Sequence, residues 1–122
     1  TEKLGGGREI LTRRSILLIN LPVVWGLNAA CVLAAAVWGD GWAAPALYVV
    51  LINGIGHVAP AIRFRATNPG FWTGLVIFIP LGLWGLWTAS PSILMQVFGL
   101  VLSIGLHVLI LRDVIFPPKD AP

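Results

Sequence analysis

Charge is what this sequence has least of: Asp, Glu, Lys and Arg make up 11% of its 122 residues, against 57% hydrophobic. With a mean hydropathy of +0.89, that balance excludes a water-soluble domain, whose exterior has to be polar. Acidic residues are the scarcest, and none stands between Asp40 and Asp113. The long apolar runs therefore hold no paired carboxylates for acid–base work, no nucleophile beside a base and no H-E-x-x-H pattern. A proton-coupled multidrug transporter, which needs an acidic side chain inside a span, does not fit either. The single cysteine, Cys31, has no disulfide partner and no second thiol to share a metal, which leaves it a packing role.

The charges that are present punctuate the chain. Arg14 to Asp40 encloses 25 uncharged residues, Asp40 to Arg63 encloses 22, and Arg65 to Arg112 encloses 46. One helix needs about 20 residues to cross the hydrocarbon, so the last gap holds two. They divide at "TASPS", residues 88–92, where Pro91 suits the first turn of a new helix. The expected fold is an all-α bundle of four transmembrane helices over residues 15–38, 44–62, 71–88 and 92–111. A lead-in over 1–14 precedes it and a tail over 112–122 follows. The lead-in is polar and the first apolar run too long for a signal sequence, so no cleavable signal is expected.

All eight basic residues fall on one side of that bundle. Lys3, Arg8, Arg13 and Arg14 precede the first span, Arg63 and Arg65 join the second to the third, and Arg112 and Lys119 follow the fourth. The positive-inside rule then puts both termini in the cytoplasm, and a bacterial inner membrane is the expected location. Trp38, Trp42, Trp84 and Trp87 fall at the outer interface and Trp72 at the inner one, while Trp25 is mid-span. Basic loops of this kind sit against anionic lipid, and no alternation of basic and stacking aromatic residues asks for a nucleic acid.

Chemistry inside the spans reduces to Asn20, Asn28, Asn53, His57, Gln96, Ser103 and His107. Each needs a partner in hydrocarbon, and Asn20, Asn53, Gln96 and Ser103 are expected to make interhelical polar contacts. Asn53 and His57 are one turn apart on one face, as are Ser103 and His107. His57 precedes Arg63 by six residues and His107 precedes Arg112 by five, which sets both imidazoles ~7.5–9 Å from the basic end. At that shared depth they can face one another. One reading makes them interhelical hydrogen-bonding groups; the other makes them ligands of a metal, a haem or a pigment macrocycle. Two histidines are too few for a closed non-haem site. Gly54 and Gly56 beside His57, Gly70 and Gly74 as G-x-x-x-G, and Gly99 one turn before Ser103 are the expected close-packing positions. Pro22, Pro60 and Pro80 deprive the carbonyls of Leu18, Gly56 and Val76 of their usual donors.

Asn53-x-x-x-His57, followed by Asn68-Pro69-Gly70-Phe71-Trp72-Thr73-Gly74 and Pro80-Leu81-Gly82-Leu83-Trp84, resembles the HXXEE-motif family of small bacterial membrane proteins. With "GGGREILTRRSILLINLPVVWG" upstream, the resemblance runs from about residue 5 to residue 89. The motif that names the family is absent from these 122 residues, and the expectation is that an upstream helix carries it. By that resemblance, a His and two Glu would join His57 and His107 in an imidazole–carboxylate set suited to iron, zinc or manganese. His57 is the residue the resemblance carries over. Two functions follow. One is an accessory or structural subunit that packs, among membrane lipids, with other membrane protein subunits of a larger complex. The alternative is a metal- or haem-dependent membrane enzyme or electron carrier using His57 and His107.

Overall fold

The computed structural model describes residues 17, 21 and 24–115, with side chains as far as Arg112. The described residues form helices and turns and no strand. In chain order they are α1 (Gly26–Trp38), a 3-10 turn (Asp40–Ala43), α2 (Ala44–Phe64), α3 (Phe71–Ala89) and α4 (Ile93–Ile115). Among the described residues three segments are long and apolar enough to cross a membrane: Asp40–Phe64, Phe71–Ala89 and Ile93–Arg112, of 25, 19 and 20 residues. The first expected span is described over the 13 residues of α1. Of its earlier part only residues 17, 21, 24 and 25 are described, so Asn20 and Pro22 lie outside the described residues, as do the lead-in and the tail beyond residue 115.

The helix ends follow local chemistry. α2 closes at Arg65 in the left-handed region (φ 51), with Arg65 N–H bonded to the Ile62 carbonyl at 3.4 Å and Ala66 N–H to that of Ala61 at 3.1 Å. This paired closure satisfies two orphan carbonyls at a site usually held by glycine. α4 is opened by Ser92 rather than by Pro91, because the Ser92 hydroxyl accepts the Met95 N–H at 3.3 Å, a function proline cannot perform. Pro91 sits just outside the helix and is buried. Ahead of Pro80, residues Gly74–Phe78 widen into a π turn in which Ile79 N–H reaches the Gly74 carbonyl. A regular turn would drive the Pro80 ring into the carbonyl of Val76; the wider turn relieves that clash and keeps the helix running.

The central element is α2, which touches α1, α3 and α4. Against α4 it packs start to start: a Cβ at Gly99 would stand 3.0 Å from the Ala44 carbonyl carbon and 3.0 Å from Tyr48 Cδ2. The two helices therefore run the same way, and Arg63, Arg65 and Arg112 emerge at one end. Against α3 it packs antiparallel. Gly74 lies on the Gly54 backbone, where a Cβ would approach the Gly54 carbonyl oxygen to 2.9 Å, while Gly82 meets Leu51 and Gly85 meets Leu47. Only small side chains let backbones meet this closely.

The interior is accordingly made of small residues. Ala44, Gly54, Ala61, Gly74, Gly82 and Gly99 are buried, and among the described residues the largest fully buried side chain is Ser103. The large apolar side chains point outward, with Trp87 84% and Leu94 79% exposed. That is the reverse of a soluble core, and it is stable only where lipid wets the outer face. The chain is an all-α membrane protein.

Candidate functional site

The turn between α2 and α3 holds the best-defined polar constellation. Asn68 opens it. Its main-chain carbonyl accepts the Phe71 N–H at 3.0 Å, with Pro69 fixing the next φ, and its side-chain oxygen accepts the Gly70 N–H at 3.1 Å. The same amide reaches back to α2. Nδ2 donates to the His57 carbonyl at 2.8 Å, and Oδ1 lies 2.8 Å from His57 Nδ1.

These contacts fix the protonation pattern of His57. One end of the Asn68 amide faces a carbonyl and must be the nitrogen; the other faces an N–H and must be the oxygen. Since that oxygen can only accept, His57 Nδ1 carries the proton and donates it. In the neutral ring the lone pair is therefore on Nε2, which has no hydrogen-bond partner among the described residues. Gly70 is required beneath the ring. Its own backbone (φ -93, ψ -2) suits any residue, but a Cβ there would collide with Nδ1, Cε1 and Cγ of His57.

His107 repeats the pattern within one helix, donating Nδ1–H to the Ser103 carbonyl at 2.8 Å. Helical periodicity sets the two imidazoles on different sides of α2. α4 lies along the Ala44 and Tyr48 side of α2, and His57 is roughly 160° round the helix from that side at 3.6 residues per turn. Depth was legible from the spacing to the arginines; rotation about the helix was not.

The remaining expected residues divide. Gln96 does make an interhelical contact: its Oε1 accepts the Tyr48 hydroxyl at 3.2 Å, and Nε2 donates to the Pro91 carbonyl at 3.0 Å. Ser103 contributes its carbonyl to His107, but its hydroxyl is buried and has no partner. The interhelical hydrogen bond expected of Ser103 is not made among the described residues. Asn53 is half-buried on α2, with no hydrogen bond among the described residues. Gly54, Gly70, Gly74 and Gly99 are close-approach points; Gly56 is not, since nothing described lies within 4 Å of the Cβ it lacks. Gly56 is exposed on a side of α2 that neither α3 nor α4 covers.

Asn68 and Tyr48 were missed as polar partners. Asn-Pro-Gly is a turn signature, and the amide of such an asparagine commonly caps its own turn. That signal was available for Asn68. Its second bond, to an imidazole eleven residues earlier, depends on how α2 and α3 pack. Among the described residues no group of three or more His, Cys, Asp or Glu side chains converges as a metal site would require.

No curated protein and no solved structure matches the chain. A family model does, over residues 9–85, and it takes in the His57–Asn68–Gly70 turn together with α1, α2 and most of α3. The chain belongs to the family described as proteins of unknown function with an HXXEE motif.

Proposed function

We propose that this chain is a membrane-embedded subunit that packs, through a face of α2 that neither α3 nor α4 covers, against another membrane protein of a larger assembly. In this reading residues 15–38 form a fourth span. Both termini are cytoplasmic, and the assembly sits in a bacterial inner membrane with the basic residues at its inner surface. The observation that carries it is the stripe Asn53, Gly56, His57 and Pro60, at i, i+3, i+4 and i+7 on α2. It presents a small residue and polar atoms where lipid offers neither packing nor hydrogen bonds, the pattern by which membrane helices associate. A photocrosslinker at position 56, compared with one at Val101 on the lipid side of α4, tests it in native membranes. A discrete protein adduct at position 56 and only lipid at 101 is the expected result. Lipid adducts alone at both positions would contradict it.

A second reading is favoured by one specific feature. Each imidazole has Nδ1–H held by an oxygen and Nε2 without a hydrogen-bond partner among the described residues, which is how metal-binding histidines are usually oriented. A metal- or haem-dependent enzyme or electron carrier would use His57 and His107 as ligands of separate groups, since they occupy different faces. Metal analysis and an absorption spectrum of the purified chain in lipid decide this reading. No stoichiometric metal and no haem band would end it.

A further inference from the structure

The stripe of α2 that neither α3 nor α4 covers has a definite hydrogen-bonding character. Asn53 offers an N–H donor and a carbonyl acceptor, neither of them engaged among the described residues. One turn on, His57 offers Nε2 while Asn68 holds the opposite ring nitrogen. Pro60 leaves the Gly56 carbonyl without its i+4 donor, and no described atom lies within 4 Å of the Cβ that Gly56 lacks. Asn53 and Gly56 lie about 10 and 7 residues ahead of Arg63, well into the hydrocarbon at ~1.5 Å per residue. An unmade hydrogen bond there costs more than at a wet surface.

We infer that this stripe is a binding site for a carboxyl group. A carboxyl complements both side chains at once, and unlike a carboxamide, which could also bridge them, it can pass its proton to the ring and make both contacts charge-assisted. One of its oxygens accepts the Asn53 Nδ2–H, and the other shares a single proton with His57 Nε2. The proton rests either on the carboxylic acid facing a neutral ring or on the imidazolium facing a carboxylate; both arrangements are neutral overall, so neither leaves an uncompensated charge in hydrocarbon. A bare divalent cation has no such balance, because the ligands offered are all uncharged. Side chains one turn apart are ~5–6 Å apart at Cβ, a separation that the two oxygens of one carboxyl and two side chains span. Apart from Asp40, at the far end of the Asp40–Phe64 segment from His57, the three crossing segments hold no acid of their own. Two sources fit the chemistry: a glutamate of a packed helix, such as the adjacent pair in the motif that names the family, and the headgroup of a free fatty acid. The inference deepens the packing role proposed above for the same face.

The test uses the whole chain in nanodiscs with 15N-labelled histidine, with His107→Gln to assign resonances. Oleic acid is expected to move the His57 Nε2 signal saturably towards the protonated position, leaving Nδ1 in place, whereas oleyl alcohol does not. Asn53→Leu is expected to weaken that binding at least about tenfold, the loss of one charge-assisted hydrogen bond, with an unchanged Nδ1 signal proving that the Asn68 contact survives. Equal shifts from acid and alcohol, or undiminished affinity in Asn53→Leu, would overturn the inference. A helical peptide carrying H-x-x-E-E that displaces the acid, while its H-x-x-Q-Q counterpart does not, assigns the source to a side chain; an acid that stays bound against both assigns it to free fatty acid. A protein crosslink at position 56 with no response to any carboxyl would leave the packing role standing and remove the carboxyl.

Discussion

Replacing Asn68 by alanine removes three hydrogen bonds at once: to the His57 carbonyl, to His57 Nδ1 and to the Gly70 N–H, at 2.8, 2.8 and 3.1 Å. At 0.5–1.5 kcal/mol each, the expected loss of stability is about 1.5–4.5 kcal/mol. The lower half of that range applies if water reaches the turn, which is half-buried at the basic end of α2. Unfolding by SDS titration in mixed micelles reads the stability change, and 15N spectra of labelled histidine read the ring. In the native chain His57 is expected as the Nδ1–H tautomer; in Asn68→Ala that preference should vanish. Asn68→Asp provides an internal control. It keeps an oxygen for the ring and for Gly70 N–H but has no donor for the His57 carbonyl, so it should lose about a third as much stability and retain the tautomer. A stability change under ~0.5 kcal/mol in Asn68→Ala, with the tautomer unaltered, would refute the role given to Asn68.

Gly74→Val should separate α2 from α3 at a cost of about 1–3 kcal/mol, because even a Cβ comes within 2.9 Å of the Gly54 carbonyl. Gly56→Ala should be neutral or stabilise the isolated chain by up to ~1 kcal/mol, through helix propensity alone; the same SDS titration compares the two. Gln96→Leu, which breaks the contacts to Tyr48 and Pro91, should cost about 1–3 kcal/mol and leave the His57 resonances untouched. Ser103→Ala should cost nothing or gain up to ~1 kcal/mol, since the buried hydroxyl has no partner to lose; a loss larger than that would reveal a partner.

What the sequence made legible was whatever depends on one dimension. Charge spacing located α2, α3 and α4 to within a few residues, because crossing length is set by the hydrocarbon thickness. Small-residue spacing found Gly70, Gly74 and Gly99. What stayed hidden depends on rotation and tertiary contact. A helix apolar on nearly every side carries no stripe to show which face meets which neighbour, so His57 and His107 could be placed at one depth but not on their separate faces. Gly56 looked equivalent to Gly54 for the same reason, although one lies against α3 and the other is open. The π turn before Pro80 and the choice of Ser92 over Pro91 were within reach of local rules. The first needs the clash with the Val76 carbonyl to be weighed against helix continuity, and the second needs hydroxyl capping to be ranked above proline's tolerance for a first turn.

The most direct test is where the large apolar side chains point. In a Cys31→Ala background, nitroxides attached through Val76→Cys, Leu83→Cys and Val101→Cys, all exposed on the outer faces of α3 and α4, can be measured in lipid vesicles for relaxation by oxygen and by a water-soluble nickel chelate. High oxygen and low chelate accessibility at all three is predicted, the signature of side chains immersed in hydrocarbon. Chelate accessibility exceeding that of oxygen at these sites would mean that water covers the outer faces, and would contradict the membrane-spanning, small-residue packing on which the reading of His57 and its neighbours depends.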